Sequence, residues 1–547
     1  MEKEYIVVTV KGVDVAELDA DLQRDTSMDD SVSDAIPDRS VDVVDARQFN
    51  NRMTHYNLTD EEAQKLSTDP RVLSVSTRPL KDTQELYATQ SGNFQRSTSN
   101  AQNSVNWGLW RHIQKSLGAV DDTSSTFNGN YTYTLDGTGV DLVIQDDGVD
   151  PTGHPEWEDA QGNTRFQQVD WYQLTGLAGS MPVNHYSPGS GDAGNPGGAH
   201  GSHCCGIAAG KTYGWAKNAT IYSLRIFGGN GYEIGNDRYD LIRLFHEQKP
   251  VDPNTGYKRP TVVNQSWGYS WYYNNGDIFT PPAIQTLWFR GVNQNITPQT
   301  FTSATFTQYG CLSTRHPMEY TPDDVEQEQL TDAGVICVKA AGNGYHPCAG
   351  QAAGQYGSTR YNSYYTLNET WAGYVPAGQP IYYNRPSSPH SLDTVWVGNI
   401  DYTDFGGQEM LAESSERGER NDINAAGSQI TSATSTQSTY STKQTHPESN
   451  SHYIARISGT SMAAPQIAGI ACLYMQVNPG ATAQNFKDWL NTIAREYLYN
   501  TGGVDDYVYG NTTPRLYGGT NKVVYFPFNS PDKIKYTSSS GFTKDNG

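Results

Sequence analysis

Three residues far apart in the chain are of the types that together make a reactive nucleophile: Asp146, His200 and Ser461. Asp146 follows the apolar run LVI and Gln145, in QDDGVD. His200 stands in AHGSHCCGIAAG, at the mouth of a stretch of small residues. Ser461 lies in SGTSMAAPQIAG, where a polar Gly-Thr-Ser opens an apolar helix. Singly, each has an ordinary explanation. An Asp in D-D-G is a common turn residue, a His beside Gly is commonly exposed, and Thr-Ser is a good helix cap. The order Asp, His, Ser along one α/β chain makes them a joint expectation. A serine hydroxyl is a weak nucleophile unless a base takes its proton. Histidine is the side chain whose pKa lies near working pH. A carboxylate fixes the imidazole tautomer and stabilises its cation. Acyl transfer also needs donors for the developing oxyanion. Asn343, in KAAGNG just after the strand VICV, is one candidate, and the Ser461 backbone N–H at its helix start is the other.

Strands and helices must hold these residues in place. From Trp107 onward, short apolar strands alternate with helical segments: DLVIQDD, SHCCGIAAG, ATIYSLRIF, TVVNQSWG, GVICVKAAGNG and TVWVGNID. This alternation predicts an α/β fold with a parallel sheet, whose strand carboxyl ends carry the ligand groups. Two long stretches rich in Tyr, Asn, Gly and Pro, 269–328 and 345–384, interrupt the pattern and are expected as surface loops. Residues 1–80 read as a small α+β domain. EYIVVTV is a strand, Thr59-Asp60-Glu61-Glu62 is a capping box opening a helix over Glu61–Ser67, and RVLSVS is a second strand. Residues 81–106 are polar and read as a linker. The main domain is then 107–502, with a tail, 503–547, in which KVVYFPF predicts one strand.

With 547 residues the chain exceeds one ordinary core. A net charge of −21 disfavours nucleic acid and anionic membranes, which select clustered Lys and Arg. The start, MEKEYIVVTV, lacks the pattern of a secretory signal, and no apolar run is long enough for a bilayer, so a soluble protein is expected. The six cysteines lack zinc-ligand spacing, so no metal set is assigned and free thiols are the default, with a Cys337–Cys348 bridge left open. Cys204 and Cys205 are neighbours on one helix and face different ways, which argues against a metal pair.

These motifs together resemble those of the subtilisin-like serine proteases, the subtilases. DDGVDPTGHPEW is similar to the family's Asp motif, HGSHCCGIAAG to its His motif and GTSMAAPQIAG to its Ser motif. The resemblance implies Asp146, His200 and Ser461 as catalytic residues and Asn343 as the oxyanion donor. VVNQSWG resembles the segment that pairs with substrate, implying Ser266, Trp267 and Gly268, with Ala340, Ala341 and Gly342 on the facing side. Small residues there leave room for a large apolar side chain. ERGERNDINAAG, through Gly427, resembles another family segment. NWGLWRHI, HPEWED and GKTYGWAKNA point to the proteinase K-like branch, where Cys204 resembles a free thiol beneath the catalytic His. D-D-G is closer to the kexin-like branch, which brings Asp147 into question as an influence next to the cleavage point. His203 is expected to support the motif. The implied fold is a subtilisin-like parallel sheet flanked by helices, preceded by a propeptide-like α+β domain. The implied function is a serine endopeptidase made as a self-processing proenzyme. Its partners would be protein or peptide substrates and its own propeptide as an intramolecular inhibitor, cleaved between Thr77 and Asn106. No cofactor is required by that chemistry; calcium is retained as a structural ion without an assigned site. A catalytically silent binding module, and a processing protease within a viral or protein assembly, are the rival readings; the location is not assigned, with extracellular and viral-particle settings both left open.

Overall fold

The computed structural model describes residues 2–10, 12–23, 41–46, 53–76, 90–93, 107–113, 130–182, 185–186, 198–226, 234, 237–272, 283–297, 309, 315–318, 321–344, 362–369, 377–405, 408–496, 498, 516 and 519–526. It divides into two compact units, one built on Met1–Ala88 and one on Thr89–Tyr536.

In the first unit, an antiparallel sheet has the order Val43–Ala46, Met53–Leu58, Lys3–Thr9, Val72–Ser76. Two helices, Val15–Leu22 and Asp60–Leu66, belong to the same unit. Val7, Leu18, Leu22, Tyr56, Leu58, Leu66 and Val72 form its core. The Thr59 capping box is present. Thr59 Oγ1 accepts from the Glu62 N–H, and Glu62 Oε2 accepts from the Thr59 N–H at 2.7 Å, so the helix begins at Asp60.

The second unit carries a ten-stranded, mainly parallel sheet. Its centre runs Val395–Phe405, Ile336–Ala340, Thr261–Gln265, Asp141–Asp146, Thr220–Arg225, all parallel. Every residue of Asp141–Asp146, Thr261–Gln265 and Ile336–Ala340 is buried, as expected for strands covered on both faces. Helix Asp237–Glu247 contributes Tyr239, Leu241, Ile242 and Phe245 to a cluster with Val143, Leu224 and Val263. Helix Thr460–Val477 packs along Thr261–Gln265, Ile336–Ala340 and Val395–Phe405, and against helix Ala199–Ala209. The strand Lys522–Val523 joins the same sheet beside Ile423–Ala426.

Two expectations need correction. The stretches read as surface loops contain a folded four-stranded antiparallel sheet. It comprises Val292–Asn293, Ile284–Phe289, Tyr364–Leu367 and Ile381–Tyr382, with Ile284, Leu287, Tyr365, Leu367 and Tyr383 as its own core. The strand Gln90–Asn93, within the expected linker, pairs with Asn130–Tyr133; residues 81–89 and 94–106 lie outside the described residues. The described cysteines, Cys204, Cys205, Cys337 and Cys472, are free thiols, the default expected of them; of these, Cys337 is the one for which a bridge was left open. It lies in a central strand with its side chain in the cluster under Tyr239 and Leu330, and burial pushes its pKa up to about 12. Cys348 falls outside the described residues. Among the described residues no helix is long and apolar enough to cross a membrane.

Candidate active site

The site forms at the carboxyl ends of the central strands, where parallel sheets gather ligand groups. Asp146 is the last residue of its strand, and His200 is the second of its helix. Asp146 Oδ1 accepts from His200 Nδ1 at 2.8 Å. The same oxygen accepts the Asp147 N–H, also at 2.8 Å, while Oδ2 is buried and has no hydrogen-bond partner. Burial opposes a charged imidazole, but the Asp146 carboxylate, with Cys204 alongside, outweighs it and raises the His200 pKa well above 6.5.

Asp147 has a positional role that its motif alone did not reveal. Gly198 caps the His200 helix without a side chain to offer. Asp147 supplies the missing acceptors, taking the Gly201 N–H at 2.6 Å and the His200 N–H at 3.2 Å. Burial, then the adjoining Asp146 charge, push the Asp147 carboxyl up to about 8. His203 is fully buried, its Nε2 bonds to Ala455 O at 3.1 Å, and burial pulls its pKa down to about 3. It stays neutral and structural.

Ser461 is the second residue of the helix that begins at Thr460. Pro465, four residues on, has no N–H, so the Ser461 carbonyl lacks the usual helical partner. That carbonyl accepts instead from Ser266 Oγ at 2.9 Å and from Cys204 Sγ at 3.3 Å. Cys204 Sγ also lies 3.9 Å from His200 Nδ1. One buried thiol thus touches both the His and the Ser backbone, and burial raises its pKa and keeps it protonated. The Ser461 hydroxyl donates to Ser266 O at 3.1 Å.

Asn343 is anchored by its oxygen. Oδ1 accepts from the Thr460 N–H at 2.9 Å and from Thr460 Oγ1 at 3.0 Å, and Thr460 Oγ1 accepts the Gly342 N–H at 3.1 Å. The Nδ2 donor is left to face elsewhere. The other expected substrate-side residues flank this point. Ser266 and Trp267 turn their side chains inward: Ser266 Oγ accepts from Asn264 Nδ2, and Trp267 Nε1 donates to Gln145 Oε1 at 3.2 Å. Their carbonyls are engaged too: Ser266 O accepts the Ser461 hydroxyl and Trp267 O accepts from Lys339 Nζ at 2.9 Å. Ala340 and Ala341 are buried beneath the facing segment. Among the described residues the one group of three metal-capable side chains is Asp146, His200 and Cys204. Its nitrogen and sulfur atoms do not suit calcium, which takes oxygen cages.

Close packing holds the Ser461 turn. Gly427 O accepts the Gly459 N–H at 2.9 Å. A Cβ added at Gly427 would lie 2.5 Å from Gly459 O and 2.6 Å from Asn399 Oδ1. Gly427→Ala is therefore expected to destabilise the fold by about 1–3 kcal/mol, measured by denaturant unfolding in a Ser461→Ala background. An unchanged midpoint would show that the turn yields freely.

The model of the subtilase family matches residues 137–518. A subtilisin-like serine protease of Davidiella tassiana, Cla h 9.0101, is 32% identical over 137 residues, covering 25% of this chain and 21% of that protein. The extracellular serine proteinase of a Thermus species, strain Rt41A, is 26% identical over 244 residues, covering 44% of this chain and 43% of that one. The solved structure of a cold adapted subtilisin-like serine proteinase shares 22% identity at a TM-score of 0.43, over 77% of this chain and 98% of that chain. The chain thus matches about a fifth of the length of the first of these relatives and less than half of the second. The family match, by contrast, runs from just before the Asp146 strand to beyond the Ser461 helix, well over half of the sequence, and on that extent the chain belongs to the subtilase family.

Proposed function

We propose that the chain is a serine endopeptidase that hydrolyses peptide bonds by acyl transfer. The observation that carries this is the 2.8 Å bond from His200 to Asp146, with Cys204 bridging His200 to the Ser461 backbone. In the proposed cycle the Ser461 hydroxyl leaves Ser266 O and donates to His200 Nε2. His200 takes the proton as Ser461 Oγ bonds to the scissile carbonyl carbon. The carbonyl oxygen becomes an oxyanion held by Asn343 Nδ2 and the Ser461 N–H. Collapse breaks the C–N bond, and His200 returns its proton to the leaving amine. Water repeats the sequence on the acyl-enzyme, giving the acid and free Ser461. Asp146 balances the imidazolium throughout. The bound chain would pair by main chain with Ser266–Gly268 on one side and Ala340–Gly342 on the other.

The N-terminal α+β unit is proposed as an intramolecular inhibitor, released by cleavage between Thr77 and Asn106. A separately folded core of its own supports that reading.

A fluorophosphonate probe tests the function directly. Peptide mapping is expected to place the label on Ser461, and intact mass is expected to show a chain shortened at a new N-terminus within 77–106. Full-length protein that takes no label at any pH would overturn the proposal.

A further inference from the structure

The strand Ile336–Ala340 is buried throughout, and Lys339 is its one charged residue. Lys339 stands beside Gln265 and Trp396 in the neighbouring strands, one residue before the proposed substrate segment Ala340–Gly342. A buried ammonium is costly, and an apolar side chain of the same length would fill the place without that cost. Burial pulls its pKa down to about 7, while the Asp324 and Glu416 carboxylates act the other way and Arg420 adds to the fall. Charged or neutral, the amine has N–H donors enough for two carbonyls. The proposed cycle gives this group no part.

The Lys339 amine reaches across to the other proposed substrate segment. Nζ donates to Trp267 O at 2.9 Å and to Ser388 O at 3.4 Å. It also lies over the Trp396 and Trp267 rings, 5.1 and 5.9 Å from their centroids. Tyr269 is held from the same side: its N–H donates to Ser388 O at 3.1 Å, and its carbonyl accepts the Met318 N–H at 3.1 Å. In an extended segment, alternate residues present their main-chain groups to opposite sides. Gly268, between two residues bonded inward, therefore presents its N–H and C=O outward. Gly268 is half-buried, and no hydrogen bond among the described residues engages either group. The fit is close. A Cβ at Gly268 would lie 2.8 Å from Lys339 Nζ and 2.8 Å from Ser387 Oγ, so glycine is what lets the segment rest on the amine.

We propose that Lys339 is a positioning residue for peptide binding: by tying the back of the Ser266–Gly268 segment to the strand that leads into Ala340–Gly342, it holds the Gly268 N–H and C=O as a preset ladder edge for an extended substrate chain. The inference rests on the protease reading above. Main-chain pairing gives affinity without regard to side chains, and an edge fixed before binding avoids the cost of ordering it. The bonds that hold His200 and Ser461 are made by Asp146, Cys204 and Ser266, not by Lys339. Loss of the amine should therefore weaken the hold on a long chain and spare the acyl transfer itself.

The test uses Lys339→Met, which keeps the length of the side chain and removes the amine. Two peptide anilides are compared, with one or four residues before the cleaved bond; only the longer extends along the segment. Rates are normalised to active sites titrated with the fluorophosphonate probe. The variant is expected to hydrolyse the short anilide within about threefold of wild type and to lose roughly 10- to 30-fold in kcat/KM on the long one, through KM with kcat little changed. If Lys339→Met does not fold, Lys339→Gln, which offers an uncharged donor on a shorter side chain, replaces it and is expected to lose about three- to tenfold on the long anilide alone. Equal losses on the two anilides, a loss confined to kcat, or no loss on the long one would overturn the assignment while leaving the protease reading intact. Wild type that takes no label overturns the protease reading first, and this assignment with it.

Discussion

Asp146→Asn is expected to lower kcat by about 10²- to 10⁴-fold, roughly 3–5 kcal/mol of barrier, the upper figure being carried over from the known serine-protease triad where a wrong tautomer adds to the loss, and to move the acid limb of the pH–rate profile downward. Asp146 Oδ1 accepts both the His200 Nδ1–H and the Asp147 N–H. An asparagine with its oxygen in that place keeps both bonds, so ring orientation survives and the change isolates charge. The sign of the pH effect follows from the two opposing influences on His200. Burial lowers its pKa and the Asp146 carboxylate raises it, with the net result well above 6.5. His200 acts as a base only when neutral, so wild-type activity should rise through and above neutrality. Without the carboxylate the largest influence opposing burial is gone, the pKa falls, and the base is neutral at lower pH. The plateau nevertheless drops, because the imidazolium formed during attack has lost its balancing charge. The new amide NH2 lands where Oδ2 is buried without a partner, which is expected to cost about 1–3 kcal/mol of stability. The measurements are kcat against pH and an unfolding midpoint. A loss under tenfold with an unmoved acid limb would mean that Asp146 orients the ring and does little else.

The positions of the four candidate residues in the fold were legible because each lies within a short contiguous motif. Asp146, His200, Asn343 and Ser461 stand at strand ends or helix starts, where a parallel sheet must display them. What links them was harder to read. Pro465 was visible in SMAAP, and its missing N–H implies a free carbonyl at Ser461. Which groups would take that carbonyl, Ser266 Oγ and Cys204 Sγ, depends on residues far away in the chain. Asp147 read as a turn carboxylate because its work as a cap is done across space, on a helix whose own cap position is glycine. The inserted sheet was missed for a related reason. IQTLWF and YYTL are short and polar in part, and their apolar face exists only once Leu287 pairs with Tyr365.

Asn343→Ala is expected to cut kcat by about 10²–10³-fold, roughly 3–4 kcal/mol, with KM little changed. That range is the one known for losing a single oxyanion donor in subtilisin and is carried over from it. The geometry here explains why one amide should matter so much. Asn343 Oδ1 is held by two donors from Thr460, at 2.9 and 3.0 Å, and this fixes which end of the amide is free. A donor positioned before reaction costs no reorganisation when charge develops, and it gains little from a ground-state carbonyl, so the loss falls on kcat. The alanine variant also strips Thr460 of its acceptor, so stability should fall by about 1 kcal/mol, and that fall must be separated from the catalytic one. Thr460→Val makes the separation. It keeps the Asn343 donor and the Thr460 N–H bond but removes the hydroxyl that Asn343 and Gly342 share. If Thr460 acts by aiming Asn343, Thr460→Val should lower kcat about tenfold, less than Asn343→Ala, and the double variant should be no worse than Asn343→Ala alone. Losses that multiply in the double variant would show that Thr460 serves the fold and that Asn343 aims itself.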